Sequence, residues 1–211
     1  MDVQQAIEAV HLPHASRLDA VSDDAWRRRM IIGISGASGI IYGITALKIL
    51  ASLGYETHLV ISRSARQALV HEGPFDVREI EALAGVVHQF GDIGASISSG
   101  SFRTRGMLIA PCSIKTLSEI AYGTTSSLLT RAADVILKER RRLVLMVRET
   151  PLHLGHLRAM TMVTEAGGII MPPVPAFYPQ PDTLEEMIAH TVGRALDLFD
   201  IDYANFPRWG E

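Results

Sequence analysis

Short, wholly apolar segments recur along the chain, and between them apolar residues return every three or four positions. A strand that is buried on both faces shows no polar alternation, so the short segments are predicted strands. The intervening periodicity is that of amphipathic helices. The predicted strands cover residues 30–34, 57–61, 107–110, 143–147 and 168–171, and the predicted helices cover 40–50, 64–71, 115–121, 127–138, 154–166 and 183–199.

This alternation predicts an α/β protein with a three-layer flavodoxin-like or Rossmann-like fold, in which helices cover both faces of a parallel sheet. Ligands of such proteins bind beyond the carboxyl ends of the strands. We therefore expect the site in the loops that follow Ile34, Ile61, Ala110, Val147 and Met171.

The regular periodicity begins at Met30 and divides the chain into two parts. Residues 1–29 are predicted to be an extension that is disordered or docked on the surface. Residues 30–211 are long enough for one domain with a complete core. We therefore expect a single functional domain.

Charge, apolar runs and cysteine content argue against several functional classes. The net charge of -3 gives no electrostatic reason to expect nucleic acid as a partner. No apolar run has the length of a membrane span, and the N-terminus lacks the apolar core of a signal peptide. The single cysteine, Cys112, excludes an internal disulfide and fits a reducing compartment. The expected location is the cytoplasm, with no membrane partner.

The loop after the first predicted strand reads Ser-Gly-Ala-Ser-Gly at 35–39. Glycines at a strand-to-helix turn let backbone N–H groups approach an anion, and Ser38 adds a hydroxyl, so the loop is a candidate phosphate cradle. It is neither a Walker sequence nor a complete G-x-G-x-x-G motif, which weakens a dinucleotide interpretation. A plain tight turn is the alternative.

Hydroxyl side chains follow two further predicted strands. Ser62 comes directly after the second strand, and Ser113 and Thr116 stand in the loop after the third. Ser113 and Thr116 also fit an N-cap pair that needs no ligand. In a parallel sheet, however, the strand ends would bring these hydroxyls to one crevice. The serine-rich run at 95–101 offers further donors or forms a flexible linker.

Several charged residues occupy positions that suit a site. Arg131 and Lys138 lie seven apart on one predicted helix, hence on one face, with Asp134 between them. Either a ladder of salt bridges or an anion-binding face fits this spacing. Arg148 and Glu149 directly follow a buried strand, where charges are costly unless they are paired or used, so we favour a functional role.

Cys112, His153 and His156 are interpreted as structural. No partner histidine is placed for Cys112 by the sequence, and a buried cysteine beside a proline is an ordinary core residue. The two histidines stand at a predicted helix start without a third metal ligand at a suitable spacing, which favours capping.

Eight motifs follow one another in a fixed order. They read Gly-Ile-Ser-Gly-Ala-Ser-Gly at 33–39, Ser-Ile-Ser-Ser-Gly-Ser-Phe at 96–102, Pro-Cys-Ser-Ile-Lys-Thr-Leu at 111–117, Leu-Leu-Thr-Arg-Ala-Ala-Asp-Val at 128–135, Leu-Lys-Glu-Arg-Arg at 137–141, Val-Arg-Glu-Thr-Pro-Leu-His-Leu at 147–154, Pro-Pro-Val-Pro-Ala-Phe-Tyr at 172–178 and Arg-Trp-Gly at 208–210. From Met30 to the C-terminus, this series resembles the UbiX flavin prenyltransferases. Each motif alone is weak, but the ordered set is specific.

The resemblance implies a flavodoxin-like subunit in a homododecamer, with sites at subunit junctions. It implies reduced FMN as the cofactor and dimethylallyl phosphate, or the diphosphate in some relatives, as the second substrate. The implied reaction joins the dimethylallyl group to N5 and C6 of FMN. The implied recipient of the prenylated FMN is a UbiD-type decarboxylase.

The family pattern also implies roles for individual residues. The implied catalytic residues are Ser38, Glu149, Lys138 and Glu72, with Ser38 and Glu149 handling protons. Tyr178 and Arg194 are implied to bind the prenyl phosphate, with Arg131 and Lys138 adding positive charge. The implied FMN contacts are Gly36, Ala37, Ser38, Ser62, Ser113, Ile114, Lys115, Thr116 and Arg148.

These residue types suit the implied chemistry. Cationic and hydroxyl groups stabilise a departing allylic phosphate, and a carboxylate can accept a proton from the flavin. The flavin itself is the nucleophile, so the protein needs none. The chain lacks the Asp-rich motif that binds magnesium in other prenyl enzymes, so no metal is expected.

Three departures from the family pattern stand out. Ser126 and Ser127 replace an Asp or Asn that is frequent in relatives, Pro179 replaces a usual His, and residues 1–29 have no counterpart. Two other functions are considered. A flavin-dependent decarboxylase of the cysteine-peptide type would share the fold, but its Pro-x-Met-Asn-x-x-Met segment is absent from the sequence. A non-catalytic flavin-binding protein would not need Arg131, Lys138, Glu149, Tyr178 and Arg194 together.

Overall fold

The computed structural model describes residues 24–72 and 76–203. Of the predicted extension, only its last residues are described, and Ala25–Arg28 form a 3-10 helix that leads into the first strand. The predictions for residues 1–23 and for the motif at 208–210 lie outside the described residues.

Six strands form one sheet in the order β3-β2-β1-β4-β5-β6, and every neighbouring pair is parallel. The chain starts in the middle, builds one half to its edge and then returns to build the other half. The direction of winding therefore reverses between β1 and β4, where ligands of such sheets bind. The strands are β1 Arg29–Ile34, β2 Glu56–Ile61, β3 Val86–His88, β4 Gly106–Cys112, β5 Arg142–Val147 and β6 Ile169–Ile170.

The connecting segments carry the helices. The described part contains α1 Ile40–Ser52, α2 Arg63–Glu72, α3 Val77–Glu81, α4 Ile114–Ala121, α5 Leu128–Lys138, α6 Leu154–Glu165 and α7 Leu184–Asp197. Six of these were predicted from apolar periodicity, with bounds that agree within a few residues. The predicted α/β fold with a covered parallel sheet is confirmed.

The sheet separates two apolar cores, which explains why its strands are continuously apolar. Met30, Ile32 and Ile34 of β1 pack into the core that contains buried residues of α1, α2 and α7. Ile31, between them, packs into the opposite core with buried residues of α4, α5 and α6. Because both faces of the central strands are buried, no polar position interrupts them.

The predictions missed β3 and α3. Strand β3 has three residues at the edge of the sheet, and Val86 and Val87 are 37% and 41% exposed, so no buried apolar run marks it. Helix α3 spans five residues, too few for a visible period. Its start carries a capping box, in which Asp76 accepts from the Arg78 N–H at 3.0 Å and Glu79 accepts from the Asp76 N–H at 3.2 Å.

Two features of the described residues bear on function. None of their helices combines the length and apolar character that crossing a bilayer requires. They also contain no group of three or more His, Cys, Asp or Glu side chains that could hold a metal ion.

Candidate functional site

A buried serine joins the two loops at the point where the winding reverses. Ser35 follows β1 and is 0% exposed. Its hydroxyl donates to the Pro111 carbonyl at 3.0 Å and accepts from the Ser113 N–H at 2.7 Å. The Ser35 N–H also donates to the Pro111 carbonyl, at 3.1 Å. This side chain therefore fixes the loop after β1 against the loop after β4.

The glycine loop brings the backbone close to the start of α2. A Cβ at Gly36 would lie 2.3 Å from Ser64 Oγ and 2.4 Å from Ser64 Cβ, so only glycine fits there without displacement. Ser38, at the tip of the loop, is exposed. Gly39 has φ of 99°, the left-handed conformation that a glycine adopts at low cost.

The N-terminus of α1 is held by a carboxylate of the same chain. Glu72 accepts from the Gly39 N–H at 2.9 Å and from the Ile40 N–H at 3.0 Å. This loop differs from the predicted phosphate cradle, because the Glu72 carboxylate already binds two of the backbone N–H groups at the start of α1. Glu72 does lie at the glycine loop, as the family pattern implies.

Three helix N-termini converge on one cavity of about 370 Å³, which we call the three-helix cavity. Each helix is capped by a serine. Ser62 accepts from the Ala65 N–H of α2 at 3.1 Å, Ser113 from Thr116 of α4 at 3.3 Å, and Ser127 from Thr130 of α5 at 3.3 Å. The lining residues are Ser62, Arg63, Ser64, Gln67, Phe90, Ser113, Lys115, Thr116, Glu119, Ser126, Ser127, Leu129 and Thr130.

The donor set of the three-helix cavity suits a phosphate. The positive ends of three helix dipoles meet there, and each favours negative charge. Arg63 and Lys115 add cationic side chains at the rim. Glu119 is a carboxylate in the wall, but it accepts from the Ser126 hydroxyl at 2.9 Å and lies 3.8 Å from the Lys115 ammonium. The residues present thus fit the phosphate of a flavin mononucleotide.

Cys112 is a core residue at the end of β4, as predicted. Its side chain is 0% exposed, and burial raises the pKa of the thiol far above its ordinary value because a thiolate is poorly solvated there. Ser113 directly after it acts as the predicted N-cap of α4.

The prediction that Arg148 and Glu149 sit at a buried position is wrong within the single chain. Burial of β5 ends at Val147, and both charged side chains are exposed. The Arg148 N–H donates to the Cys112 carbonyl at 3.0 Å, which holds the loop beside β4. The Glu149 carboxylate accepts from the Thr150 N–H at 3.0 Å.

Arg148 also influences a neighbouring phenol on α1. Burial raises the pKa of Tyr42, and the positive charge of Arg148 offsets part of that rise. Arg148 therefore adds positive potential close to the glycine loop.

The basic residues of α5 do not all reach this end of the sheet. The helix starts beside the three-helix cavity and runs toward the amino end of β5, so Lys138, its last residue, lies at the opposite end. Lys138 pairs with Glu139 at 2.5 Å. Arg131 pairs with Asp134 at 2.7 Å and donates to the Ser98 carbonyl at 3.3 Å. The first step of the alternative salt-bridge ladder is present, but Lys138 does not continue it.

Tyr178 and Arg194 are linked through a histidine that the sequence did not single out. The Tyr178 hydroxyl lies 3.1 Å from His190 Nε2, and the two rings meet edge to face. His190 and Arg194 are one turn apart on α7. Arg194 also pairs with Asp197. Burial and the nearby Arg194 charge lower the pKa of His190.

His153 has the capping role predicted for it. His153 is the N-cap of α6, and its Nδ1 accepts from the Gly155 N–H at 3.0 Å. The rings of His153 and His156 are in contact, with centroids 3.6 Å apart and planes tilted by 34°.

The structure brings together the predicted glycine and hydroxyl residues but leaves the cationic ones dispersed. Gly36, Ser62, Ser113, Lys115 and Thr116 meet around β1, β2 and β4. Sequence reasoning gave no role to several residues of the same site, although N-capping serines before helical periods were a usable signal. These residues are Ser35, Arg63, Ser64, Gln67, Phe90, Glu119, Ser126, Ser127 and Thr130.

Known proteins resemble the chain over most of its length. A family model described as Flavoprotein matches residues 19–192, beginning inside the predicted extension. The flavin prenyltransferase UbiX of Salmonella typhimurium is 61% identical over 185 residues, which are 86% of this chain and 98% of that protein.

Two solved structures share the fold and much of the sequence. The crystal structure of AnUbiX (PadA1) in complex with FMN and dimethylallyl pyrophosphate has a TM-score of 0.86 and 49% identity, covering 88% of this chain and 98% of that one. A dodecameric FMN-dependent UbiX-like decarboxylase from Escherichia coli O157:H7 has a TM-score of 0.84 and 43% identity, covering 87% and 100%.

Proposed function

We propose that this chain, which belongs to the UbiX flavin prenyltransferase family, joins a dimethylallyl group from dimethylallyl phosphate to N5 and C6 of reduced FMN. The cofactor is FMN, as in the solved complex of AnUbiX. When bound in its reduced form, FMN supplies the nucleophilic atoms of the reaction. The remaining tasks, which are binding, charge stabilisation and proton handling, belong to the protein.

The observation that carries this proposal is the convergence of three serine-capped helix N-termini on one cavity. We assign the FMN phosphate to the three-helix cavity, because helix dipoles and hydroxyl donors favour an anion there. Ser62, Ser113 and Thr116 contribute these hydroxyls. The remaining implied FMN contacts, which lie on the loops after β1, β4 and β5, are Gly36, Ala37, Ser38, Ile114, Lys115 and Arg148.

Glu149 and Ser38 are assigned the proton transfers. Both are exposed, on the loops that follow β5 and β1, the two strands that flank β4. A carboxyl group in this position can, in its protonated form, donate its proton to the departing phosphate, and the resulting carboxylate can accept the proton that leaves C6. We place Glu72 behind them, since it holds the loop that carries Ser38.

The prenyl phosphate is assigned to Tyr178 and Arg194, with charge from Arg131 and Lys138. Lys138 lies at the opposite end of its own sheet, so its contribution requires a neighbouring copy of the chain. The site of one copy is then completed at a subunit junction.

Exposed apolar side chains support such an assembly. Leu152, Leu154 and Leu157 are 42%, 59% and 47% exposed, and Val174 and Phe177 are 72% and 73% exposed. Leu154 and Leu157 lie three residues apart on α6 and therefore on one helix face, and a grouped apolar surface of this kind suits a contact between subunits. We infer a homododecamer, the assembly named for the similar Escherichia coli protein. Light scattering on the purified protein tests this, and a monomer at micromolar concentration would contradict it.

The product needs a recipient, since prenylated FMN is itself a cofactor. We assign that role to a UbiD-type decarboxylase and expect both proteins in the cytoplasm. Transfer of activity to an apo-decarboxylase mixed with the reaction products measures this step.

The direct test is anaerobic incubation with reduced FMN and dimethylallyl phosphate, followed by mass analysis of the released flavin. We expect a flavin enlarged by one dimethylallyl unit, without added metal. FMN of unchanged mass would contradict this activity and favour a non-catalytic flavin-binding protein. Release of carbon dioxide from a peptide with a C-terminal cysteine would instead favour the decarboxylase alternative.

A further inference from the structure

A second cavity, also of about 370 Å³, lies at the amino end of the sheet, away from the three-helix cavity. We call it the arginine cavity, because five arginines line it against a single carboxylate. The lining residues are Trp26, Arg27, Thr104, Arg105, Arg140, Arg141, Arg142, Phe199 and Asp200.

Part of this arginine cluster has a structural task. Arg105 donates to the Phe199 carbonyl at 2.5 Å and to the Asp200 carbonyl at 2.8 Å, and Arg142 donates to the Leu198 carbonyl at 2.5 Å. These contacts neutralise the negative end of α7 and fix the two guanidinium groups. A guanidinium has five N–H donors, so the contacts leave further donors on each.

The positive charge exceeds what the neighbouring carboxylates neutralise. Asp200 pairs with Arg142 but is 72% exposed, and Asp24 pairs with Arg27 outside the lining. Arg140 makes no ion pair or side-chain hydrogen bond with the residues that the structure describes. Burial and the nearby charge of Arg103 lower the pKa of Arg141, although Glu139 opposes this.

A polar side chain in the same wall lacks a partner. Thr104 is 1% exposed, and its hydroxyl has no hydrogen-bond partner among the described residues. A buried hydroxyl without a partner is costly and rare, and an unoccupied ion position is one of its ordinary explanations. Such a hydroxyl beside uncompensated arginines can donate to an anion.

We propose that the arginine cavity is a binding site for a phosphate-type anion, separate from the flavin and prenyl positions. Arg140 supplies charge-assisted donors and Thr104 supplies the hydroxyl. Arg141 donates to the Phe102 and Gly100 carbonyls at 2.7 Å each, so it adds positive charge and its remaining N–H groups, while Arg105 and Arg142 hold the wall in place. The chemical class is a small phosphate or diphosphate, or the phosphorylated end of a metabolite.

The test is titration of the full chain with inorganic pyrophosphate at low ionic strength, with FMN at saturation so that the three-helix cavity is filled. Pyrophosphate is also expected at the prenyl phosphate position. The informative quantity is therefore the binding component that Arg140→Ala and Thr104→Val weaken and that Arg194→Ala retains. Arg78→Ala, which removes an exposed arginine of α3, is the matched control.

We expect Arg140→Ala and Thr104→Val each to weaken this component about tenfold, the effect of one charge-assisted hydrogen bond. Thr104→Val should not lower the melting temperature without anion, because the hydroxyl has no partner to lose. The prenylation rate of Arg140→Ala should equal that of the wild-type protein.

Equal pyrophosphate binding by all variants, or no binding component beyond the prenyl position, would overturn the proposal and leave the arginines a purely structural role. A loss in Arg140→Ala with unchanged binding by Thr104→Val would also overturn it, because the anion would then meet an exposed charge outside the cavity.

Discussion

The two ends of the sheet create positive potential by different means. At the carboxyl end, three helix N-termini and small hydroxyl side chains surround the three-helix cavity, with Arg63 and Lys115 at its rim. At the amino end, guanidinium groups surround the arginine cavity. A parallel sheet imposes this difference, because the helices that follow strands start at one end of the sheet and finish at the other.

The positive potential at the carboxyl end comes mainly from the backbone, whereas the positive potential at the amino end comes from side chains. Helix N-termini come with the fold and need only a cap, so serines suffice at Ser62, Ser113 and Ser127. Helix C-termini at the other end present carbonyls, and side chains such as Arg105 must neutralise them. Substitutions of the exposed proton-handling side chains at the first end should therefore affect chemistry, whereas substitutions of the arginines that bind helix C-terminal carbonyls at the second end should affect stability.

The largest effect is expected for Glu149→Gln at the carboxyl end. If the carboxylate moves protons, the amide keeps its shape but stops the transfer, and the prenylation rate falls about a hundredfold or more. FMN binding and melting temperature should be retained, because Glu149 is exposed. Rate, FMN affinity and melting temperature are measured on the same preparation, with Glu165→Gln as the control. Near-normal turnover would remove Glu149 from the chemistry.

At the amino end, Arg105→Met should act on stability. The change removes donors to the carbonyls at the end of α7, and we expect a loss of about 2–3 kcal/mol in the free energy of unfolding. Urea denaturation measures it, with Arg78→Met as the control. A loss in prenylation rate per folded molecule, without loss of stability, would break the division between the two ends.

Ser35→Ala tests whether a buried hydrogen bond at the carboxyl end contributes to the stability of the protein. The Ser113 N–H would lose its acceptor in a buried position, which costs about 2 kcal/mol. FMN affinity should fall as well, since the loop that follows β4 is no longer fixed to the loop that follows β1. Unchanged unfolding energy would show that water replaces the hydroxyl.

Ser38→Asp probes the potential at the glycine loop. A second carboxylate beside Glu72 should repel the anionic cofactor, and we expect FMN to bind about tenfold more weakly. Fluorescence titration measures this, with Ser38→Asn as the uncharged control. Equal affinity in both variants would place the flavin away from Ser38.

The smallest effect concerns pH and lies in neither cavity. Burial and the adjacent His58 lower the pKa of His88 from its ordinary value of 6.5. The unfolded chain then binds a proton more readily than the folded one, so the stabilisation is complete above about pH 6.5 and is lost as the pH falls below it. Melting temperatures at pH 7.5 and 5.5 should differ less in His88→Gln. His190, whose pKa is also lowered, leaves a residual dependence.

The fold was predictable because both faces of its sheet are buried. Strands such as β1 show an unbroken apolar run, and the helices show one apolar face. By contrast, β3 and α3 are short and partly exposed, so their apolar pattern carries no period. The edge position of β3 follows from pairing with β2, which no local pattern encodes.

The site was predictable where local chemistry decides position. Ser113 caps α4 because its hydroxyl meets the first free N–H groups, and the sequence shows this directly. The interpretation of Arg148 and Glu149 as buried was wrong, since burial of β5 stops one residue earlier. The distance of Lys138 from the three-helix cavity depends on the direction of α5 relative to the sheet. That direction is a property of the whole fold.

The burial of Cys112 protects its thiol from the peroxide that a reduced flavin can generate. Reduced flavin that meets oxygen generates peroxide, and peroxide attacks thiolates in preference to thiols. The sole cysteine of the sequence is fully enclosed and held in its thiol form. The polypeptide therefore offers oxidants no ready sulfur target of this kind, and repeated exposure to air between turnovers should leave it free of sulfenic acid.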